Sequence, residues 1–518
     1  MTRQLPFCQR LATVINLEQK TMRGLFLILL IAPILTSAQH VVIHFNVKNA
    51  TFKEMGIVKD DYTNAVRLFD KGGEIGVPLK EGKGTWTHTL SRPVFVTAYY
   101  QDSITHMFNS YIFYVTPGDN LDFSFDAKNA GATYTVTGKG SKSNQPSIRE
   151  LRRTLDLTLY HNDSLPDRVW KAIRQRSAEN DKTLKDYVSR NRPGKGFEDI
   201  YGLYVKYFPV WTYLRFNGDQ KYNVPDSYKR NERHWQRIQD SLTNVVSLNN
   251  PELLRISEYD YFLSSHLTRI KERLWRHAEL LKDYYGTGTQ EEAVTLRDED
   301  PQNLLMEKII DKHFSGKTAE FLYGVLFKEA LGENEDNLPE IFSRFKEKYP
   351  QSDYIPYVAP TIATVEERRK RTLTDKMVFV DNNESYQTFE DLLKLVKGKT
   401  VLLDMWGTWC GSCRSELSTN SEPIKDHFKG KALEYVYVAN HDAGKEKKWK
   451  ELISFYNLTG IHILASPQLT QDIMSKVKGD GFPTYVIIRK DGTFVLSEAG
   501  YPMDRQILIG QLERALAN

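Results

Sequence analysis

The chain has 518 residues, enough for roughly three or four domains of about 150 residues each. Hydrophobic residues make up 40% of the sequence and charged residues 26%, the proportions of an ordinary globular protein. The formal net charge of +4 is small for this length, and none of the motifs of nucleic-acid-binding folds occurs. We therefore do not expect a nucleic-acid partner.

Residues 1–38 have the pattern of an export signal. Two basic residues, Lys20 and Arg23, precede an apolar run over 25–35 that is short for a membrane span. Small residues follow this run and offer a cleavage site. Because the stretch before the apolar run is long, translation from Met22 is an alternative. We expect an exported protein of the periplasm or cell envelope, and the sequence leaves open an uncleaved segment that anchors it in the membrane.

The three cysteines indicate redox chemistry rather than structural crosslinking. Cys8 lies in the segment that cleavage would remove, so the mature chain would keep only Cys410 and Cys413. An exported protein with one close pair has no disulfide framework to staple its fold. A structural zinc site would need two more ligands, and the histidine pair at finger-like spacing, His40 and His44, lies far away in sequence. We therefore expect no metal site.

Residues 39–140 are predicted to form a β-rich domain. Apolar and polar residues alternate over 41–47 and again over 121–125, and turn-forming residues separate these short strands. A small antiparallel β-sandwich fits this spacing. The segment 138–145, rich in glycine, serine and lysine, is predicted to be the linker that follows.

Residues 146–350 are predicted to be helical, because apolar residues recur at helical spacing, for example over 148–159 and 251–285. Clusters of glycine, proline, asparagine and aspartate predict breaks between helices, one of them at 217–219. A dense group of aromatic residues is attributed to core packing rather than to a ligand cage. The members of this group are Tyr201, Tyr204, Tyr207, Phe208, Trp211 and Tyr213.

The last two segments are a predicted linker over 351–377 and an α/β domain over 378–518. Pro356 and Pro360 argue against a helix over 354–360, and the charged run over 366–371 is expected to be a short, solvated helix. In the last segment, short apolar strands alternate with helices, which predicts a central sheet. The whole chain is thus expected to be multidomain: β-sandwich-like, then helical, then α/β.

The sequence Trp-Cys-Gly-Ser-Cys lies where the predicted strand 400–405 gives way to a helix that begins at Cys410. A helix N-terminus directs unpaired N–H groups and the positive end of its dipole at this cysteine. Both favour the thiolate, which is the form that attacks disulfides. Cys413, one turn into the helix, lies on the same face and suits the second step of exchange. Trp406 and Trp409 are predicted to form an apolar collar around the pair.

The segment 378–518 resembles the thioredoxin superfamily and, within it, the exported TlpA/ResA-like thiol–disulfide oxidoreductases. Three features carry the resemblance. One is the cysteine motif itself, and another is Asp404, six residues before the first cysteine, where thioredoxins have a buried acid. The third is Gly481-Phe-Pro-Thr484, where the family has a cis-proline loop. The regions before this segment resemble, more weakly, the extension domains found on such proteins.

The resemblance implies a catalytic role for three residues. Cys410 would attack a disulfide, Cys413 would resolve the mixed disulfide, and Asp404 would accept the proton that Cys413 loses. It also implies a cis peptide bond before Pro483 and no cofactor other than the Cys410–Cys413 disulfide. The residues expected to bind the protein substrate are Trp409, Phe482, Pro483 and Thr484.

The direction of electron flow does not follow from the residues. Ser412 replaces the proline of the cytosolic reductants, and the dipeptide between the cysteines tunes the thiol pKa and the reduction potential. The family leans towards reduction, which implies protein disulfides as substrates and a thiol-electron donor in the membrane as partner. The sequence leaves open a binding or scaffold protein in which the N-terminal domains dominate and the thioredoxin-like domain is auxiliary.

Overall fold

The computed structural model describes residues 39–58, 64–69, 74–300, 302–332, 335, 337–380 and 386–517. The predicted export segment lies outside these residues, and so does the choice between a cleaved signal and a membrane anchor. Within the described residues, the search for a helix long and apolar enough to span a bilayer finds none.

The described strands of the N-terminal part form two sheets of four strands each, in the orders β4–β1–β7–β8 and β3–β2–β5–β6. Apolar side chains of both sheets belong to one buried cluster, because alternate residues of each strand face the same side. The structure confirms a sheet-rich N-terminal part. Its elements are β1 Gln39–Lys48, β2 Glu54–Val58, α1 Asn64–Phe69, β3 Glu74–Pro78, β4 Lys83–Leu90, β5 Val94–Gln101, β6 Phe108–Val115, β7 Asn120–Asp126, α2 Ala130–Thr133 and β8 Thr135–Lys139.

Two details of this part differ from the prediction. Strands β1 and β7 pair in parallel, so the first sheet is mixed rather than wholly antiparallel. The expected linker 138–145 is held tightly, because the buried Asn144 side chain accepts from the Tyr114 N–H (2.8 Å) and donates to its carbonyl (2.9 Å). This segment therefore fastens β6 to the helical part that follows.

The middle of the chain is helical, as predicted. The six aromatic residues assigned to the core are all buried in one cluster, which confirms core packing. The helices are α3 Asp167–Asn191, α4 Lys195–Asn223, α5 Pro225–Thr243, α6 Ser257–Arg276, α7 Lys282–Tyr285, α8 Gln290–Glu299, α9 Asn303–His313, α10 Gly316–Ala330, α11 Leu338–Lys348 and α12 Ile355–Arg369.

Two local predictions in the middle of the chain are wrong. Helix α4 continues through the expected break at 217–219, because Asn217 is buried and accepts from the Tyr228 hydroxyl (3.0 Å) instead of making a turn. The stretch 148–159 forms two short 3₁₀ segments instead of one helix. The Asp156 carboxylate accepts from the Thr158 N–H and so starts the second segment.

The predicted linker contains helix α12, so the expectation that its prolines exclude a helix is wrong. Pro356 lies in the first turn, where an N–H group is not needed. Pro360 lies inside the helix and removes one hydrogen bond of the ladder. Packing offsets that loss, because α12 buries one apolar face. The buried residues of that face are Val358, Ile362 and Val365.

The C-terminal part contains a six-stranded sheet in the order β14–β13–β10–β11–β12–β9. All residues of the central strand β10 are buried, since it lies between a parallel and an antiparallel neighbour and helices cover the sheet. The elements are β9 Met377–Phe379, α13 Phe389–Leu395, β10 Thr400–Trp406, α14 Gly411–His427, β11 Leu433–Ala439, α15 Glu446–Phe455, β12 Gly460–Leu464, α16 Pro467–Val477, β13 Thr484–Ile488, β14 Phe494–Leu496 and α17 Arg505–Ala517.

Strand β12 and helix α16 are missing from the sequence prediction. His462 is buried in β12. Its Nε2 atom lies 2.6 Å from the Leu458 carbonyl oxygen, and its ring stacks on Tyr437. Burial lowers the pKa of His462 to about 4, so the ring is neutral at physiological pH.

Arg368, near the end of α12, joins the helical part to the C-terminal part. Its guanidinium forms an ion pair with Glu335 (2.9 Å) and donates to the hydroxyl (2.6 Å) and the carbonyl (3.2 Å) of Ser418 in α14. One turn earlier, Val365 packs into the same cluster as Cys410 and Cys413. The helix that carries the cysteine pair is therefore held against the helical part of the chain.

Candidate active site

The cysteine pair lies at the N-terminus of α14, directly after the central strand β10. Cys410 is the N-cap residue, and its Sγ atom accepts from the Cys413 N–H at 3.2 Å. The two cysteines are joined by a disulfide bond. After reduction, the same N–H group and the helix dipole would stabilise a thiolate on Cys410.

Both sulfur-bearing residues are shielded in the disulfide form. Cys410 is 4% exposed and Cys413 is 1% exposed. Both cysteines belong to an apolar cluster against which Phe482 packs. A substrate would approach Cys410 over the small part of it that solvent reaches.

Asp404 lies in β10 with its carboxyl group buried. Burial raises its pKa to about 7, the nearby Glu416 carboxylate adds to the rise, and the Lys425 ammonium opposes it. Its Oδ1 atom has no hydrogen-bond partner among the described residues. A carboxyl group with this pKa exchanges protons readily at neutral pH.

A small cavity of about 20 Å³ lies beside Asp404. Cavities of this size hold about one water molecule. Glu416 of α14 also lines the cavity, and its carboxylate accepts from the Met503 N–H (3.1 Å) and from the Asn420 amide. Sequence reasoning missed Glu416. Its spacing of three residues from Cys413 was the available signal, because that spacing puts both on one face of a helix.

The peptide bond between Phe482 and Pro483 is cis, as the resemblance implied. The Phe482 carbonyl accepts from the Ser412 hydroxyl (3.2 Å), which ties the cis-proline loop to the first turn of α14. The same hydroxyl lies 3.3 Å from Cys410 Sγ. Thr484 is buried and donates to the Gly481 carbonyl (2.5 Å), so it braces the loop instead of facing solvent.

Of the two tryptophans predicted to surround the cysteine pair, only Trp409 lies at the surface. Trp406 is fully buried in the core and cannot contact a substrate. Trp409 is 49% exposed and meets the Phe482 ring edge-to-face at 5.9 Å. His441, which sequence reasoning missed, lies about as close to Trp409, at 6.0 Å. The surface beside Cys410 is therefore an aromatic patch of Trp409, Phe482 and His441.

Comparison with known proteins agrees with the position of this site. Residues 398–494 match a family model described as thioredoxin-like. The thiol-disulfide oxidoreductase ResA of Bacillus anthracis is 29% identical over 115 residues, which are 22% of this chain and 63% of ResA. ResA of Bacillus subtilis (strain 168) is 28% identical over 118 residues, 23% of this chain and 60% of ResA. The chain thus spans less than two thirds of the length of these relatives.

Solved structures of similar proteins include the thioredoxin domain of a thiol-disulfide oxidoreductase from Bacteroides vulgatus. It is 24% identical, with a TM-score of 0.21, and covers 24% of this chain and 82% of that one. A secreted disulfide oxidoreductase of Mycobacterium tuberculosis is 23% identical, with a TM-score of 0.19, and the match covers 23% of this chain and 85% of that one. At these TM-scores the structures add nothing to the sequence match.

Two observations on the C-terminal part coincide. The family match spans Asp404, both cysteines and the cis-proline loop. The sheet places Cys410 at a helix N-terminus beside that loop. The C-terminal part of the chain is therefore similar to thioredoxin-like proteins and to the thiol-disulfide oxidoreductase ResA.

Proposed function

We propose that this protein is a thiol–disulfide oxidoreductase that acts on other proteins. The observation that carries the proposal is the position of Cys410 at the N-cap of α14, with its Sγ atom 3.2 Å from the Cys413 backbone nitrogen. This geometry stabilises a thiolate on the first cysteine and keeps the second within reach. The two ResA proteins that the chain resembles are named as thiol-disulfide oxidoreductases.

The proposed reaction is a two-step exchange. The Cys410 thiolate attacks one sulfur of the substrate disulfide, which forms a mixed disulfide and releases the other substrate sulfur as a thiolate. Cys413 then loses its proton, for which Asp404 is the proposed acceptor, and attacks Cys410 Sγ. That step releases the second substrate thiolate and leaves the Cys410–Cys413 disulfide. Two electrons pass from this chain to the substrate.

Four residues are proposed to bind the substrate. Trp409 and Phe482 present the aromatic surface beside Cys410 and would contact apolar side chains that flank the substrate cysteine. Pro483 would face the same segment, and Thr484 would act indirectly by holding the Gly481 carbonyl.

The cellular role completes the proposal. The protein would be exported and would work as a reductant in the cell envelope. A thiol-electron donor in the membrane would reduce its Cys410–Cys413 disulfide after each turnover. The apolar segment before residue 39 supports export. We propose no cofactor beyond the disulfide. We also propose that the chain is divided into domains at 39–140, 146–350 and 378–518, with a connecting segment at 351–377.

A trapping experiment tests the proposed activity. Cys413→Ala removes the resolving thiol, so mixed disulfides between Cys410 and substrate should accumulate, visible as thiol-sensitive bands on a non-reducing gel. Cys410→Ser is the matched control and should form none. Wild-type protein should reduce insulin faster than the dithiol background. Insulin reduction at the background rate, with no trapped species, would rule the activity out.

A second candidate function is binding by the N-terminal part, with the redox site auxiliary. The loop between β5 and β6 exposes Ile104 and Met107, the first residue of β6 exposes Phe108, and Asp102 accepts from the N–H groups of Ile104 and Thr105 in this loop. Neighbouring exposed apolar side chains can form a binding surface. Under this alternative, a Cys410→Ser strain would behave as wild type while deletion of residues 40–350 would not.

A further inference from the structure

The turn that carries the active site is held from a neighbouring loop by one buried carboxylate. Asp442, in the loop after β11, accepts from the Thr408 N–H (2.8 Å, Oδ2) and from the Thr408 hydroxyl (2.6 Å, Oδ1). Both residues are buried, and Asp442 is fully so. Both oxygens of the carboxylate are thus engaged by a single residue two positions before Cys410.

The loop after β11 holds the next residue of the turn as well. The Trp409 indole N–H donates to the Asn440 carbonyl (2.8 Å). Gly407 makes room for this arrangement, because a Cβ atom there would lie 2.5 Å from the indole nitrogen. The Cys410 N–H donates to the Gly407 carbonyl (3.1 Å) and closes the turn.

We infer that Asp442 is a positioning residue for Cys410. Through Thr408 it holds the turn that places Cys410 Sγ at the N-terminus of α14, 3.2 Å from the Cys413 nitrogen. The stabilisation of a thiolate by a helix N-terminus falls off within one turn, so a small shift of the sulfur weakens it. A change in the pKa of the Cys410 thiol is expected whatever the protein does. An effect on the rate of disulfide exchange rests, in addition, on the proposed function.

The inference is tested by the reactivity of Cys410 in the reduced full-length chain. Asp442→Ala should raise the pH midpoint of Cys410 alkylation by iodoacetamide and slow alkylation at mildly acidic pH about threefold to tenfold. Peptide mapping assigns the modified cysteine. Asp491 is a matched control, because it accepts from the N–H (2.9 Å) and hydroxyl (2.7 Å) of Thr493 in the β13–β14 turn. Asp491→Ala should leave the alkylation profile unchanged.

A milder pair of variants covers the case in which Asp442→Ala does not fold. Thr408→Val removes the hydroxyl bond and should shift the alkylation profile in the same direction, while Thr408→Ser keeps the hydroxyl and should restore it. A folded Asp442→Ala variant, or a Thr408→Val variant, with a wild-type alkylation profile overturns the inference. If the wild type does not reduce insulin, the proposed activity is wrong. The role of Asp442 is then still tested by the alkylation profile.

Discussion

At the scale of single residues, the chemistry depends on how two polar side chains are placed around the cysteines. Asp404 is buried in β10 and its Oδ1 atom has no hydrogen-bond partner among the described residues, so burial is the main cause of its raised pKa. Ser412 lies between Cys410 and the cis-proline loop. Substitution of Asp404 tests the proposed proton transfer, and substitution of Ser412 tests its hydrogen bond to Cys410.

Asp404→Asn should slow the second step of exchange and spare the first. An amide cannot accept the Cys413 proton, and general-base catalysis contributes about a hundredfold or more. Rapid mixing of the reduced variant with a disulfide peptide should show attack by Cys410 at a rate close to that of the wild type and resolution by Cys413 about a hundredfold slower near neutral pH. In the wild type, resolution should accelerate as the pH rises through about 7, where Asp404 loses its proton. Resolution at the wild-type rate would contradict the role of Asp404.

The same substitution should stabilise the fold above neutral pH. The pKa of Asp404 is about 7 in the folded protein and 3.8 ordinarily, so the folded state binds this proton more tightly. Stability associated with Asp404 is therefore fully present below pH 3.8 and is lost as the pH rises through about 7. Urea titrations should show Asp404→Asn about 1–3 kcal/mol more stable than the wild type near pH 8 and nearly equal to it near pH 4. Equal differences at both pH values would exclude this explanation.

Ser412→Ala should make the dithiol a stronger reductant. After reduction, the Ser412 hydroxyl is close enough to donate to the Cys410 thiolate, which stabilises the reduced form. Loss of that donor should lower the reduction potential by about 20–30 mV, measured by equilibration with glutathione, since 30 mV corresponds to about 1.4 kcal/mol. Ser415→Ala on the same helix is the control. A potential that rises, or does not move, would show that the hydroxyl stays on the Phe482 carbonyl.

At the scale of secondary-structure elements, Arg368 of α12 bonds Ser418 of α14 and forms a buried ion pair with Glu335, which precedes α11. Glu335 is 4% exposed and has its charge balanced by Arg368. The next residue, Arg369, forms a similar pair with Glu340 at the surface (2.6 Å). The two neighbouring arginines thus provide a comparison on one helix between a buried ion pair, whose arginine also bonds Ser418, and an exposed one.

Arg368→Ala should be far more costly than Arg369→Ala. Removal of one partner from a buried pair leaves an uncompensated charge and costs about 3–5 kcal/mol. Exposed pairs contribute about 0–1 kcal/mol because water screens them. Denaturant titrations of both variants measure the difference directly. Similar losses for the two substitutions would mean that Glu335 becomes solvated when α12 loses its arginine.

At the scale of the whole molecule, the thioredoxin-like domain is not packed in isolation. Val365 of α12 is fully buried in the cluster that contains both cysteines, and the Arg371 guanidinium donates to the Phe455 carbonyl (3.1 Å). The helical part therefore covers one flank of α14 and α15. The aromatic patch around Trp409 stays exposed on another side.

A fragment of residues 374–518 should be less stable than the same region in the full chain. It exposes the apolar surface that α12 covers, and burial of one apolar side chain contributes about 1.5–3 kcal/mol. We expect a loss of at least about 2 kcal/mol in denaturant titrations followed by the fluorescence of the domain. The fragment should still show rapid alkylation of Cys410 after reduction. Equal stability of fragment and full chain would mean that the α12 contact contributes nothing to the fold.

The sequence predicted most of the C-terminal elements because each has a local signal. The apolar run of β10 and the cysteine motif at the start of α14 are each carried by a few consecutive residues. Strand β12 was missed because its five residues follow a turn and include the polar His462. Helix α12 was misjudged because the penalty for its prolines is local, whereas the packing that outweighs it involves residues distant in sequence.

By itself the sequence determined that a single cysteine pair lies at a strand-to-helix junction, because periodicity and spacing act over one or two turns of chain. Only the tertiary structure decided which distant groups surround that pair. Asp442 reaches Thr408 across 34 positions, Met503 reaches Glu416 across 87, and neither pairing has a local pattern. Such contacts depend on strand order and on how helices pack, and these follow from the burial of the whole chain rather than from any segment of it.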